Sequence, residues 1–497
     1  VNALLRGAAL ALVLSACSGA APAPKPAAPP EPAPKAAPVP APDPEAWRDT
    51  KPGPGPLAES HYPRAETQRL DNGLSIYVVR RPVGVVSLSL VARGGGSRVP
   101  AGQSGLAALT VRMMTEGTTR LGSLALAEAA ESLGSSLEES AGRDSVRLGI
   151  TVLRDDLKRG LSLLSDVARN PSFSPKELER VRAEWLDSLE AERQSPSRLA
   201  SLVGLRLLLG TTIGAPVSGS HHDVRALKRE DLVRFHRENF VPSNVALVVV
   251  GDVSPAEVKP LAEELFGAWR GAAPKAPHAE LPPPPSTDKV RLVDRPGAVQ
   301  SALFVAQRFP KRSEPGFEAR ELLNDLVGGL FTSRLNTNLR EEHAYTYGVR
   351  SLDIATRDWG AFAVMTSVRT DVTSDALAQT LSELTKARDP SLGRPFTEAE
   401  VETGRVDLSQ ALGATLSHTS DIAGKIEDLF VHELDDAYYE KYPAVLDGTP
   451  ASAVTAEGRR LAPDAALIVI VGDRAQIQPK LEARSLAVEV VPEALLD

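Results

Sequence analysis

Aromatic residues make up only 4% of this 497-residue chain, so its cores have to be built from Leu, Val and Ala. Basic residues, 56, are outnumbered by 64 acidic ones, and the net charge of −8 argues against the clustered basic surface that a nucleic-acid partner requires. Past the N-terminal residues there is no run of about twenty apolar residues, so nothing in the body of the chain reads as a membrane-spanning helix. Histidine is scarce. Of the eight, only His221 and His222 are close in sequence, and neighbours in a chain point apart on helix or strand. Beside Asp223 the two read as an ordinary surface loop, without metal. The single cysteine, Cys17, leaves no thiol for a disulfide, so the folded part stands on apolar burial alone.

The sequence does hold 42% hydrophobic and 24% charged residues, the balance of a soluble globular protein long enough for two or three domains. Residues 1–16 run from Arg6 through an apolar stretch to Ser15-Ala16, the pattern of a secretory signal. Leu14-Ser15-Ala16-Cys17 resembles a bacterial lipobox, in which the Cys17 thiol is lipidated after cleavage. Ser18 at the next position suits sorting to the outer membrane. The expectation is a lipoprotein of the bacterial envelope, on the outer membrane and facing the periplasm. Residues 17–62 are rich in Pro and Ala with some charges, a semi-rigid spacer between anchor and body.

The body divides at a second breaker region, 272–288, which contains Pro282-Pro283-Pro284-Pro285 and excludes both helix and central strand. This gives an N-terminal domain over 63–271 and a C-terminal domain over 289–497. In the first, Leu74–Val78 and Val86–Leu90 alternate around turn residues and read as adjacent strands with one buried face. Gly105–Met114 takes helical spacing, and Pro175 opens a long helix to about Gln194. The half closes on Ala246-Leu-Val-Val-Val-Gly-Asp252. The second half closes on Ala466-Leu-Ile-Val-Ile-Val-Gly-Asp473, after a similar helix and proline step, which points to internal duplication. The fold class expected is α+β, two homologous domains, each a mostly antiparallel sheet with helices packed on it.

Several short motifs occur in order along both halves. They are Leu70-Asp-Asn-Gly73, Gly105-Leu-Ala and Glu116-Gly-Thr118, then Asp294-Arg-Pro-Gly297, Gly328-Gly-Leu-Phe-Thr-Ser-Arg-Leu335 and Leu339-Arg-Glu-Glu-His-Ala-Tyr-Thr-Tyr347-Gly. With the duplication, this series resembles the pitrilysin/insulinase-type (M16) zinc peptidases, a clamshell family that includes mitochondrial processing peptidase and the bc1 core proteins. Active members carry His-x-x-Glu-His on the helix after Gly-Leu-Ala, because imidazoles four residues apart share a zinc while the Glu serves as base. Here those positions are Ala108, Val111 and Arg112, so the resemblance implies a lost metal and base site. The family's third ligand falls on the long helix near Glu184 and Glu190, with the register closer to Leu186 or Leu189.

The second half keeps what the first has lost. Arg340 and Tyr347 match the Arg and Tyr that active members supply from this half, Tyr near the oxyanion and Arg on substrate backbone. The resemblance therefore implies a subunit similar to the alpha chain of mitochondrial processing peptidase. Such a chain has no cofactor and no catalytic residue of its own, and it is inactive alone. Paired with a zinc-bearing homologue, it completes that partner's site around an extended peptide. The alternative is a purely structural or peptide-binding envelope lipoprotein with no part in proteolysis.

Overall fold

The computed structural model describes residues 61–272 and 280–492, together with Glu45, Arg48 and Leu495. The signal at 1–16, Cys17 and nearly all of the 17–62 spacer lie outside the described residues. In the first half the strands are β1 (Glu66–Arg69), β2 (Ser75–Arg80), β3 (Val85–Arg93), β4 (Glu138–Ala141), β5 (Ser145–Leu153) and β6 (Val245–Gly251). In the second they are β7 (Lys289–Asp294), β8 (Gln300–Phe309), β9 (Thr346–Ala355), β10 (Gly360–Arg369), β11 (Leu467–Gly472) and β12 (Ala487–Val490). They form two six-stranded sheets, ordered β1-β2-β6-β3-β5-β4 and β12-β7-β11-β8-β10-β9.

The duplication is visible in these orders. β2-β6-β3-β5-β4 corresponds to β7-β11-β8-β10-β9, and in each series only the first pairing is parallel. The two Val-Gly-Asp strands, β6 and β11, take the same place, and each follows a short 3-10 turn, Pro242–Asn244 or Pro463–Ala465. The repeat breaks at the far edge, where β1 runs antiparallel to β2 but β12 runs parallel to β7.

Two expectations are corrected here. β2 and β3 are not adjacent, because β6 lies between them. Every residue of β6 is buried, which suits a central strand covered on both faces. The connection Arg81–Gly84 is long enough to step over one strand, since four extended residues reach about 13 Å against about 10 Å for two strand spacings.

The sheets also bury both faces. Val86, Leu88, Leu90 and Ala92 of β3 point into the first-half core, with Val245, Leu247 and Val249 of β6. The opposite face, with Val91, Ala246, Val248 and Val250, joins a core that extends through the second half. What covers it is the helix Thr419–His432, contributed by the second half and packed on β3 and β6. The exchange is mutual. The helix Pro196–Ile213 of the first half packs on β8 and β11, against Ala302, Phe304, Ala306, Val469 and Val471. The described residues from His61 onward accordingly form one compact unit.

Close approach of the first crossing helix depends on Gly204. A Cβ there would meet the Phe304 ring at 2.2 Å, so the aromatic ring lies directly on helix backbone. Gly204→Val should lower stability by about 1–3 kcal/mol through overpacking. The urea midpoint measures it, and an unchanged midpoint would contradict this contact. The same helix kinks at Gly210 (φ 83°), where Pro282 of the linker packs. Residues 280–288 form neither helix nor strand.

Candidate functional site

The helix Leu106–Met114 starts at Gly105, whose φ of 89° turns the chain into it. A side chain at Gly105 would come within 3.0 Å of Ser218 O and 3.1 Å of Gly219 Cα, so glycine fixes the helix start against that loop. Asp223 holds the preceding residue, accepting from Ser104 N at 3.0 Å and Ser104 Oγ at 2.6 Å. Every residue of the helix is buried except Arg112.

Ala108 and Val111 are packed into the core and offer no lone pair. Arg112 is engaged in an ion-pair network. Its Nη2 lies 2.6 Å from Glu116 Oε1, its Nε 3.7 Å from Glu139 on β4, and its Nη1 donates to Thr115 Oγ1 at 3.2 Å. Glu116 is buried and also accepts from Arg180 of the long helix Pro175–Gln194. Arg180 forks further onto Glu177 and Glu184, both at 2.8 Å, and these bonds, Glu177's foremost, hold its guanidinium above the usual value. Burial raises the Glu139 carboxyl, and Arg112 pulls it back. The network ties helix, edge strand and long helix together by charge.

A zinc ion does not fit this donor set. A guanidinium stays protonated and would repel a dication. Glu184 is taken by Arg180, and Glu190 accepts from Gln194 at 2.9 Å and stands 3.7 Å from His221 Nε2. Leu189 is buried and Leu186 half-buried, neither with an atom to offer. Among the described residues no group of three or more His, Cys, Asp or Glu could hold a metal ion. His221 and His222 open the short helix His221–Ala226 and do not lie in a surface loop; His221 is buried. The Arg112–Glu116 pair was open to sequence reasoning as an i,i+4 ion pair, and it was missed.

In the second half, Arg340 sits on a π-helical turn, Thr337–Glu342, of the kind that recurs at functional sites. Its guanidinium lies 4.0 Å from the Phe331 ring centroid, with Nε 3.5 Å from Glu341. Tyr347 is 92% exposed and Phe331 67% exposed. The exposure of Tyr347 has a backbone cause. Thr366 pairs with Val349 and Val368 with Thr346, so Tyr347 and Gly348 together face Ser367 alone. This β-bulge on the sheet's edge strand turns the phenol outward.

Asn336 links the two elements. Its Nδ2 donates to Leu330 O and Val349 O, both at 3.0 Å, and its Oδ1 accepts from Val349 N at 3.0 Å. One buried amide therefore fixes the Phe331 loop and the start of β9 against the turn bearing Arg340. Asn336 and Phe331 went unread in the sequence. Gly348 was the available sign, since glycine inside a strand pattern marks a bulge. No hydrogen bond or ion pair joins Arg340 or Tyr347 to Ala108, Val111 or Arg112.

Two family profiles match in series. The profile described as insulinase (peptidase family M16) covers residues 77–206, and that described as peptidase M16 inactive domain covers residues 226–405. The chain is a homologue of the M16 peptidases. Among its relatives, the Helicobacter pylori "non-peptidase homolog YmxG" is 24% identical over 71% of this chain and 85% of its own length. The "uncharacterized zinc protease Rv2782c" of Mycobacterium tuberculosis is 27% identical over 64% and 72%. A probable mitochondrial-processing peptidase subunit beta of Schizosaccharomyces pombe is 23% identical over 74% and 82%. A beta chain stands among these relatives, so the M16 likeness does not single out the alpha subunit. Among solved structures, a peptidase M16 inactive domain from Pseudomonas fluorescens matches with a TM-score of 0.75 at 24% identity, covering 82% of this chain and 98% of the other. At that identity it supports the M16 fold.

Proposed function

We propose that this M16 homologue is a subunit without catalysis of its own, which pairs with a zinc-bearing homologue and lends Arg340 and Tyr347 to that partner's peptide-cleaving site. The observation that carries the reading is an asymmetry. Arg112 is locked into Glu116 and Glu139, whereas Tyr347 is carried outward on a bulge with its phenol in solvent. A zinc ion in the partner would polarise the scissile carbonyl and activate water. Tyr347 then donates one directed hydrogen bond to the developing oxyanion, and Arg340 forks onto the carbonyls of an extended peptide. Residues 1–16 act as the signal, and Cys17 with the spacer through 62 tethers the body, with domains at 63–271 and 289–497, to the outer membrane on its periplasmic side.

The test is co-expression with a homologue that carries His-x-x-Glu-His, followed by cleavage of a fluorogenic peptide. Tyr347→Phe and Arg340→Ala should each lower cleavage at least tenfold with little change in melting temperature, since Tyr347 is exposed and Arg340 partly so. Undiminished cleavage would favour a purely structural or peptide-binding lipoprotein. One feature supports that second reading: Arg340 is already occupied by Phe331 and Glu341.

A further inference from the structure

A cavity of about 260 Å³ lies beside the start of the helix Leu106–Met114, outside both halves of the proposed peptidase site. Two arginines line it, Arg143 from the turn between β4 and β5 and Arg206 from the first crossing helix. Neither forms an ion pair with any carboxylate among the described residues. Arg143 spends one donor on a backbone carbonyl, Nη1 to Ile213 O at 2.7 Å, and faces the Trp359 ring at 5.9 Å. The nearest acid in sequence, Asp144, forms no ion pair with it and accepts from Arg357 N at 3.0 Å. Arg206 Nε is shut off from solvent and has no hydrogen-bond partner. Burial holds the Arg143 guanidinium down to about 10, although Asp144 acts in the opposite direction. Two half-buried guanidiniums that border one cavity with no carboxylate paired to either present donors suited to an anion.

The remaining lining narrows the anion. Asp223 also borders the cavity, and although Ser104 N and Oγ occupy its Oδ2, its charge disfavours a dianion such as phosphate. Val99, Pro100, Pro216 and Val217 give the cavity an apolar wall, which suits an acid carrying a small apolar group and would be left bare by an inorganic ion. Guanidinium groups fork onto carboxylates with two parallel hydrogen bonds. β4, the free edge of the first sheet, runs directly into the turn that bears Arg143, so an extended chain paired along that edge is led toward the cavity.

We infer that Arg143 and Arg206 form a carboxylate-binding pocket, which takes a monoanionic acid with a small apolar side chain, either a peptide C-terminus or a free acid. The site belongs to this chain alone and stands whether or not Arg340 and Tyr347 serve a partner.

Isothermal titration of the purified full chain tests it, with N-acetyl-dialanine as the free acid, its C-terminal amide, and inorganic phosphate as probes. The free acid should bind, the amide should bind at least tenfold more weakly, and Arg206→Gln should weaken the acid at least tenfold. Arg143 is half-buried and holds Ile213 O, and its replacement endangers folding, so the comparison of acid with amide carries the test on the unaltered protein. Equal titration of acid and amide, binding of phosphate without the acid, or full affinity in Arg206→Gln would each overturn the assignment. An N-acetylated hexapeptide acid that binds more tightly than the dipeptide identifies the peptide as source. Equal affinities identify a free acid.

Discussion

Arg147→Ala should destabilise the protein by about 3–5 kcal/mol near pH 8, because it strands a buried carboxylate between the two halves. Glu427 belongs to the crossing helix Thr419–His432 and points onto the first sheet. Its Oε1 accepts from Arg147 Nε of β5 at 2.9 Å and from Ser89 Oγ of β3 at 2.5 Å. Both partners are enclosed, and burial raises the Glu427 carboxyl while Arg147 lowers it. Removing Arg147 leaves the hydroxyl of Ser89 as the remaining hydrogen-bond donor, among the described residues, to a charge out of water. The converse change is milder, since Arg147 keeps Glu138 at 2.9 Å when Glu427 is lost. Urea unfolding of Arg147→Ala, Glu427→Gln and the double variant resolves the pair. The double variant should recover much of the loss, because no charge is then stranded. The Arg147→Ala deficit should also shrink as pH falls and Glu427 takes up a proton. A loss under about 1 kcal/mol at pH 8 would mean that this pair does not hold the halves together.

A second large effect is expected in the opposite direction. Glu321→Gln should stabilise the protein at pH 8 by on the order of 2–3 kcal/mol and have almost no effect near pH 4. Glu321 borders a cavity of about 310 Å³ among Tyr438, Tyr439 and Tyr442, and it accepts from Tyr442 Oη at 2.8 Å. Burial lifts its carboxyl from 4.5 to about 7, against the pull of Tyr442, Arg312 and Lys425. A folded-state value above the unfolded one means that the native protein binds the proton more tightly. The associated stability is full below about 4.5 and lost as pH rises through about 7. Glutamine keeps an acceptor for Tyr442 and never ionises. Asp144, Asp325 and Asp353, raised by burial to about 6, 7 and 6, act in the same direction. The measurement is the unfolding free energy of both proteins from pH 4 to 8. Parallel curves would exclude Glu321 as a titrating group in that window.

What the sequence could tell and what it could not divide along physical lines. The long helix runs from Pro175 to Gln194 as read, because proline at its first position and Ser195-Pro196 after it are local signals. The duplicated strands β6 and β11 were legible for the same reason, being continuous apolar runs closed by Gly-Asp. The exchanged helices were not. Ser87 and Ser89 alternate with apolar residues and so read as a solvent face, yet both are buried. Ser87 Oγ bonds Thr151 Oγ1 at 2.8 Å and Thr419 Oγ1 at 2.7 Å, while Ser89 reaches Glu427. A pattern shows that a face is covered only when it is apolar, and it never shows what covers it. Residues 199–209 are apolar on nearly every side, so they lack the stripe that marks a surface helix, although that uniformity is itself a sign of burial. At the candidate site, Arg340 and Tyr347 came from the family resemblance, whereas the bulge and the Asn336 link that set them in place required coordinates.

The crossing of helices also sets an order of events during synthesis. The first sheet is complete in sequence at Gly251, but the helix that covers its outer face is not made until residues 419–432. At roughly 5–20 residues per second, that face waits on the order of 10–30 s for its cover after β6 is made. For that interval the nascent first half exposes Tyr77, Val79, Val91, Val248 and Val250, all of them deeply buried in the finished protein. A holding chaperone would serve this chain more than one whose halves close on themselves.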